Sequence, residues 1–272
     1  MNAISFMGAN LVAQQLNWSM TEGWFQGDTA ANDFYRPLET FEERFDAFVV
    51  LTTEAGFSSL DVWTGQLNWA WATEAHLEAA GRVLRARNVS VTSYAGTFGE
   101  TLDEFAKACA VAVALGAPIL SGNTPLRETA RTGVVEGLRS NDLVLAIENH
   151  PEASAEELLA KIGDGADGLI GAAIDTGWWG TNGANAGQCI RQLGSHVMHV
   201  HLKDIRAVGG HDTCELGDGI VDIEDCVAAI EEIGFTGPIS IEHEPEHYDP
   251  VPEVVASLAK LKGWLAVPSA VS

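Results

Sequence analysis

Four short apolar runs in the second half of the chain each turn ionisable at the same end. "LVLAIENH" closes on Glu148 and His150, and "LIGAAIDTGWW" on Asp175. "VMHVHLKD" closes on His199, His201 and Lys203, and "PISIEHE" on Glu242 and Glu244. Side chains alternate along a strand, so Glu148 shares a face with Ala146 and His150, and His201 shares one with His199 and Lys203. Neighbouring parallel strands lie about 4.8 Å apart, so successive tips can meet at one point. Glu148, Asp175, His201 and Glu242 converging there would make a divalent-metal site. Without a cation the three carboxylates would repel, and some would have to hold protons. The donor set favours Mn²⁺, with Co²⁺, Mg²⁺, Fe²⁺ or Zn²⁺ as alternatives, over Ca²⁺. Any one of these residues alone reads as a solvated strand-end charge; four on consecutive strands read as a centre.

A cation that chelates a ketone oxygen and a neighbouring hydroxyl acidifies the adjacent C–H by stabilising an enediolate. Glu148 and Glu242, on different strands, could flank such a substrate. One would take the proton, and the other would return it or protonate a leaving hydroxyl. His150 is the first candidate for an additional acid, ahead of His199 and His211. Lys203 reads equally as a contact for a substrate oxygen or as the partner of an acidic neighbour. His199 reads as a support for the site or a buried core histidine. Seven of the eight tryptophans (18, 24, 63, 69, 71, 178 and 179) fall at or after strand ends. Trp178 and Trp69 are the expected stacking faces for a sugar or cyclitol ring, while some of the others would pack between loops.

The elements that must position these residues alternate along the chain. Strand candidates lie at 3–8, 58–63, 89–96, 117–122, 143–149, 169–176, 197–204 and 238–244. Helical patterns occupy 40–57, 101–118, 154–165 and 222–235, and "EAGF", "ALGAP" and "EIGF" place a glycine at helix ends. This alternation predicts an α/β fold, a single-domain (β/α)₈ TIM barrel over 1–272, with a loose tail after about residue 266. The unit around 123–142 is the weakest, with a short helix. No G-x-G-x-x-G follows a strand, which disfavours a dinucleotide fold. Barrel active sites sit at the C-terminal ends of the strands, where the ionisable tips lie.

Composition narrows the partners. The chain of 272 residues carries 38 acidic and 15 basic residues, a formal charge of −23. Such a surface repels phosphate backbones and anionic lipid, so neither nucleic acid nor a membrane is an expected partner. Cys109, Cys189, Cys214 and Cys226 form no C-x-x-C pair and read as reduced thiols in a cytoplasmic setting. The N-terminus lacks a signal-peptide pattern, and no apolar run reaches the roughly 18 residues of a membrane span. Cations are scarce near the expected mouth, apart from Lys203, Arg206 and Arg36, and no phosphate-cradling loop is apparent. A neutral keto-sugar, inosose or keto-glycoside is therefore the expected ligand.

The pattern "AIENH", "AIDTGWW", "HVHLKD", "ISIEHE" resembles the xylose isomerase-like barrels grouped as sugar phosphate isomerases/epimerases. Their members include ketose 3-epimerases, inosose dehydratases, hydroxypyruvate isomerases and lyases of 3-keto-glycosides. The resemblance is strongest from 143 to 244. It implies that Glu148, Asp175, His201 and Glu242 ligate the metal and that the two glutamates also exchange protons. The chain departs from many members in carrying Trp178 where they have a histidine. The implied activity is a metal-dependent isomerase or epimerase of a keto-sugar or keto-cyclitol, acting through an enediolate. The alternative is a metal-dependent lyase or dehydratase of an inosose or 3-keto-glycoside. An abasic-site endonuclease shares the barrel but needs more histidines and a basic groove. A non-catalytic sugar-binding barrel would keep its affinity without the two glutamates. Such barrels often form homo-oligomers.

Overall fold

A computed structural model describes residues 2–266, so the expected tail after about 266 lies outside the described residues. Eight parallel strands close into a barrel. They are β1 (Ile4–Met7), β2 (Ser59–Trp63), β3 (Ser90–Thr97), β4 (Ile119–Asn123), β5 (Val144–Glu148), β6 (Ile170–Asp175), β7 (Val197–Leu202) and β10 (Ile239–Ile241), which pairs back to β1. Each falls within one of the eight strand candidates or within a residue of it. The expected (β/α)₈ barrel is the fold.

The helices are α1 (Trp24–Tyr35), α2 (Leu38–Glu54), α3 (Glu74–Arg87), α4 (Leu102–Leu115), α5 (Leu126–Thr129), α6 (Arg131–Asn141), α7 (Ala155–Ile162), α8 (Thr176–Thr181), α9 (Ala186–Leu193), α10 (Ile223–Glu232) and α11 (Val251–Ala266). The Thr101–Glu104 capping box opens α4, and left-handed Gly116 closes it. The weak unit is a helix broken at Ala130, giving α5 and α6. Two features depart from expectation. Strand β7 stops at Leu202, and the stretch after it folds back as a hairpin of β8 (Asp204–Ile205) and β9 (Thr213–Cys214). The buried Asp204 carboxylate anchors that loop by accepting from the N–H groups of Ile205, Gly217, Gly219 and Val221. Helices α1, α3, α8 and α9 also have no counterpart among the helical patterns read from the sequence; in α1 the polar run "QGDTAAND" hides a weak apolar face.

Alternation along the strands separates two interiors. Outward side chains such as Phe6, Leu60, Tyr94, Leu120, Ile147 and Val200 pack under the helices with Phe41, Phe45 and Trp179, all fully buried. Burial of this apolar layer is the main stabilising term. The upper barrel interior is polar instead. Ser5 Oγ lies 2.6 Å from Thr92 Oγ1, Thr92 and Ser240 both donate to Asp61, and His199 Nε2 lies 2.8 Å from Asp61 Oδ2. Most of these groups satisfy one another, as buried polar groups tend to, while His199 Nδ1 has no hydrogen-bond partner. Gly96 and Gly122, paired across β3 and β4, leave room at the mouth. A Cβ on Gly122 would lie 2.0 Å from the Gly96 carbonyl oxygen, and its φ of +142° disfavours any other residue. No helix among the described residues is long and apolar enough to cross a membrane.

Candidate functional site

Two side-chain tethers fix the strand tips at the C-terminal end of the barrel. Asn149 donates to the Asp175 carbonyl at 2.9 Å and accepts its N–H at 2.7 Å, locking β5 to β6. Thr176 donates to the Lys203 carbonyl at 2.7 Å and accepts its N–H at 2.8 Å, locking β6 to β7. Both tether residues are fully buried, so the bonds are shielded from water. They set the register on which the charged side chains depend.

His201 Nδ1 lies 2.8 Å from Glu148 Oε1 and 3.0 Å from Glu242 Oε2. One ring nitrogen thus faces two carboxylates. A single N–H serves one of them, and the buried Glu242 Oε2 has no hydrogen-bond partner. Asp175 belongs to an adjoining group that shares Glu148: its Oδ1 accepts the Trp178 N–H at 2.9 Å, and its Oδ2 lies 3.0 Å from His150 Nε2. Lys203 Nζ bridges the groups, 3.5 Å from Asp175, 3.0 Å from Glu242 and 2.6 Å from Glu244. The four expected ligands therefore meet at one end, as two overlapping triads rather than one tight cluster. The orphaned carboxylate oxygen and the oxygen-rich donor set with one imidazole fit a divalent cation.

The charges shape one another. Burial pushes Glu148 up, but His150 and His201 outweigh it and hold the carboxyl below its ordinary range. Burial likewise raises Glu242, and Lys203 and His201 reverse that. Burial lowers His150, yet Glu148 and Asp175 carry it up to about 9. Burial lowers Lys203, and Asp175, Glu242 and Glu244 lift it well above the usual lysine range. Glu244 goes the other way, raised chiefly by burial. The centre thus holds accepting carboxylates beside donating cations.

Glu148, His150, Lys203, Glu242 and Glu244 line one side of a cleft of about 910 Å³, while Asp175 and His201 are buried and do not line it. Trp178 stands in its wall, 4.5 Å from the His150 ring and stacked at 5.2 Å on His211, which also lines the cleft. Trp69, the other expected stacking face, is not among the lining residues. Its indole N–H donates to the Thr97 carbonyl and its backbone N–H to Tyr94 Oη, which turns the ring into the packing between loops. Trp71 is tied to Asn32, Trp179 is core, and Trp18 packs against the core. Only Trp24, Trp63 and Trp178 of the seven line the cleft. Arg36 does not line it either, leaving Lys203 and Arg206 as its lysine and arginine among the described residues. His199 is fully buried beneath the centre, edge-on to His201 at 4.8 Å. Its partner Asp61 escaped notice in the sequence. The signal was an aspartate inside the otherwise apolar strand "SLDVW", held down to about 2 because His199 and His201 overcome the burial that would raise it.

The profile of the xylose isomerase-like TIM barrel family matches residues 49–264. An L-ribulose-5-phosphate 3-epimerase of Salmonella choleraesuis (strain SC-B67) is 33% identical over 70 residues, 26% of this chain and 23% of that one. The chain thus spans about a quarter of the length of the curated relatives it matches. Among solved structures, the D-allulose 3-epimerase from Methylomonas sp. in complex with D-allulose superposes with a TM-score of 0.67 at 15% identity, covering 96% of both chains. A xylose isomerase-like TIM barrel protein from Mycobacterium smegmatis in complex with magnesium gives 0.67 at 17% identity, covering 84% of this chain and 89% of that one. At these identities the likeness to solved structures is one of fold.

Proposed function

The chain belongs to the xylose isomerase-like TIM barrel family, and on that premise we propose a divalent-metal-dependent isomerase or epimerase of a neutral keto-sugar or keto-cyclitol. The observation that carries the reading is the pair of carboxylates, Glu148 and Glu242, closing on one nitrogen of His201. Glu148, Asp175, His201 and Glu242 would hold the cation, Mn²⁺ first and Co²⁺, Mg²⁺, Fe²⁺ or Zn²⁺ after it. When bound, the cation supplies Lewis-acid stabilisation to the oxygen that gains charge as a proton leaves the adjacent carbon.

The side chains do the rest. Glu148 and Glu242 stand on strands separated by β6 and β7, so they approach a bound ring from two directions. One accepts the proton at a carboxylate oxygen. The other returns it from the opposite face, which inverts the carbon, through an enediolate. Lys203 Nζ favours the charged form of Glu242 and offers a donor to a substrate hydroxyl. Trp178 shields the pocket from water, with His211 closing over it. A lyase or dehydratase is the second reading. His150 favours it, because Asp175 and Glu148 hold the ring as a donor at the cleft wall, where it could protonate a leaving oxygen.

The curated relatives include L-ribulose-5-phosphate 3-epimerases, named for a phosphate ester. Lys203 is already engaged by three carboxylates, which supports a neutral substrate here. The expected partner is therefore a small molecule rather than nucleic acid or a membrane, in a one-domain chain (1–272). The four cysteines are free and buried, in keeping with the proposed cytoplasmic setting. The test is product analysis, by chromatographic separation and mass, with Mn²⁺ and a panel of keto-sugars, inososes and keto-glycosides. An isomer of equal mass supports the epimerase, and loss of water or an aglycone supports the lyase. No turnover by metal-loaded protein on any member of the panel contradicts both.

A further inference from the structure

The cleft has a second side that proton exchange does not use. Met7, Met20, Trp24, Phe25, Trp63 and Ala95 line it opposite the acidic centre. Met7, Met20, Trp63 and Ala95 belong to a small apolar cluster separate from the main core. The rings on its rim are in the open: Trp24 is 36% and Phe25 80% exposed. They are arranged rather than scattered, Trp24 meeting Trp63 edge-on at 5.2 Å and Phe25 at 5.8 Å. One bond joins this wall to the centre. The Trp24 indole N–H donates to Glu244 Oε1 at 3.0 Å, and Glu244 Oε2 lies 2.6 Å from Lys203 Nζ.

Size and polarity argue together. Pockets that enclose a drug-sized ligand run to about 300–1,000 Å³, and this cleft lies near the top of that range. A single sugar ring over Glu148, His201 and Glu242 would leave the aromatic side wet. Two exposed rings, Trp24 and Phe25, backed by buried apolar side chains beside a polar centre mark a place where a ligand's apolar part is buried. Met20, 1% exposed, backs this wall with a pliable, polarisable thioether.

We propose that the substrate is a keto-polyol carrying a planar apolar substituent, such as an aromatic aglycone, which lies against Trp24, Trp63 and Phe25 while the polyol occupies the acidic centre. This rests on the proposed carbohydrate reading of that centre and adds the chemical class of the other half of the molecule. The bond from Trp24 to Glu244 sets the distance between the two halves, so an extension on the far side of the ring gains nothing.

The test is equilibrium binding by calorimetry to the full chain loaded with Mn²⁺. The probes are 4-nitrophenyl β-D-glucopyranoside and methyl β-D-glucopyranoside, which share the polyol and differ in the substituent. The aryl glycoside is expected to bind about tenfold or more tightly than the methyl glycoside. Phe25→Ala and Met20→Ala should each cut that preference at least threefold and leave Mn²⁺ affinity unchanged. Equal affinity for the two probes, or a preference that survives both substitutions, overturns the inference. So does sedimentation showing a dimer that Phe25→Glu dissociates with no change in the preference, since a second copy would then be the occupant of the wall. Proton exchange on free keto-sugars together with equal probe affinity would remove this inference and leave the proposed reaction standing.

Discussion

On one side of the cleft, Glu148, His150, Lys203 and Glu242 stand at the tips of β5, β7 and β10 with the buried Asp175 and His201 among them, each held by at least one charged neighbour. On the other side, Trp24 and Phe25 project from the start of α1, held by one indole bond and ring contacts. The first side is over-determined: Asn149 and Thr176 lock the backbones, and removing one charge leaves others buried without a partner. The second side is adaptable, because apolar contact is non-directional and the rings are partly solvated. Chemistry requires the rigid side, and selection among ligands can be left to the looser one. The match to the family begins at residue 49, after Met7, Met20, Trp24 and Phe25.

Substitutions should separate the two sides. The largest effect is expected on the acidic side. Glu242→Gln or Glu148→Gln should slow proton exchange by about 10²–10⁴-fold, the usual contribution of a positioned acid–base group. Thermal unfolding should report a folded protein, and affinity for an aryl glycoside should stay within about threefold. Equal loss of rate and of that affinity would break the division. Metal should come next. Mn²⁺ at about a hundred times its dissociation constant should stabilise the fold by about 2.7 kcal/mol. The shift in Tm should vanish with a chelator and persist in Phe25→Ala. Asn149→Ala removes both tethers to Asp175 and leaves buried backbone groups unpaired. It should cost about 1–3 kcal/mol in urea unfolding and weaken Mn²⁺ binding as well. The smallest effect belongs to the exposed ring: Phe25→Ala should change stability by no more than about 0.5 kcal/mol.

The barrel and the convergence of ionisable strand tips were legible because their signals are local. A strand of apolar residues ending in a carboxylate states both its burial and the direction in which its tip points. The Thr101 cap and Gly116 stop of α4 are likewise written in adjacent residues. What stayed hidden depends on partners far along the chain. Asp61 acquires meaning only through His199, 138 residues away. Trp69 shares a sequence context with Trp63, yet Thr97 and Tyr94 draw it out of the cleft. The fold-back after Leu202 hangs on Asp204, whose four backbone donors include groups 13 to 17 residues on. The two overlapping triads, in place of a single cluster, follow from Asp175 giving one oxygen to the Trp178 N–H, a bond that strand spacing does not announce.

The most direct test of the metal-assisted proton exchange is deuterium uptake. The protein is incubated with Mn²⁺ in D₂O with a panel of keto-sugars and inososes, alongside Glu242→Gln, and the substrates are read by NMR. The account predicts deuterium at a carbon next to the carbonyl of at least one substrate, dependent on metal and lost in the variant. Stoichiometrically loaded wild-type protein that labels no substrate, or labelling that Glu242→Gln leaves intact, would contradict it.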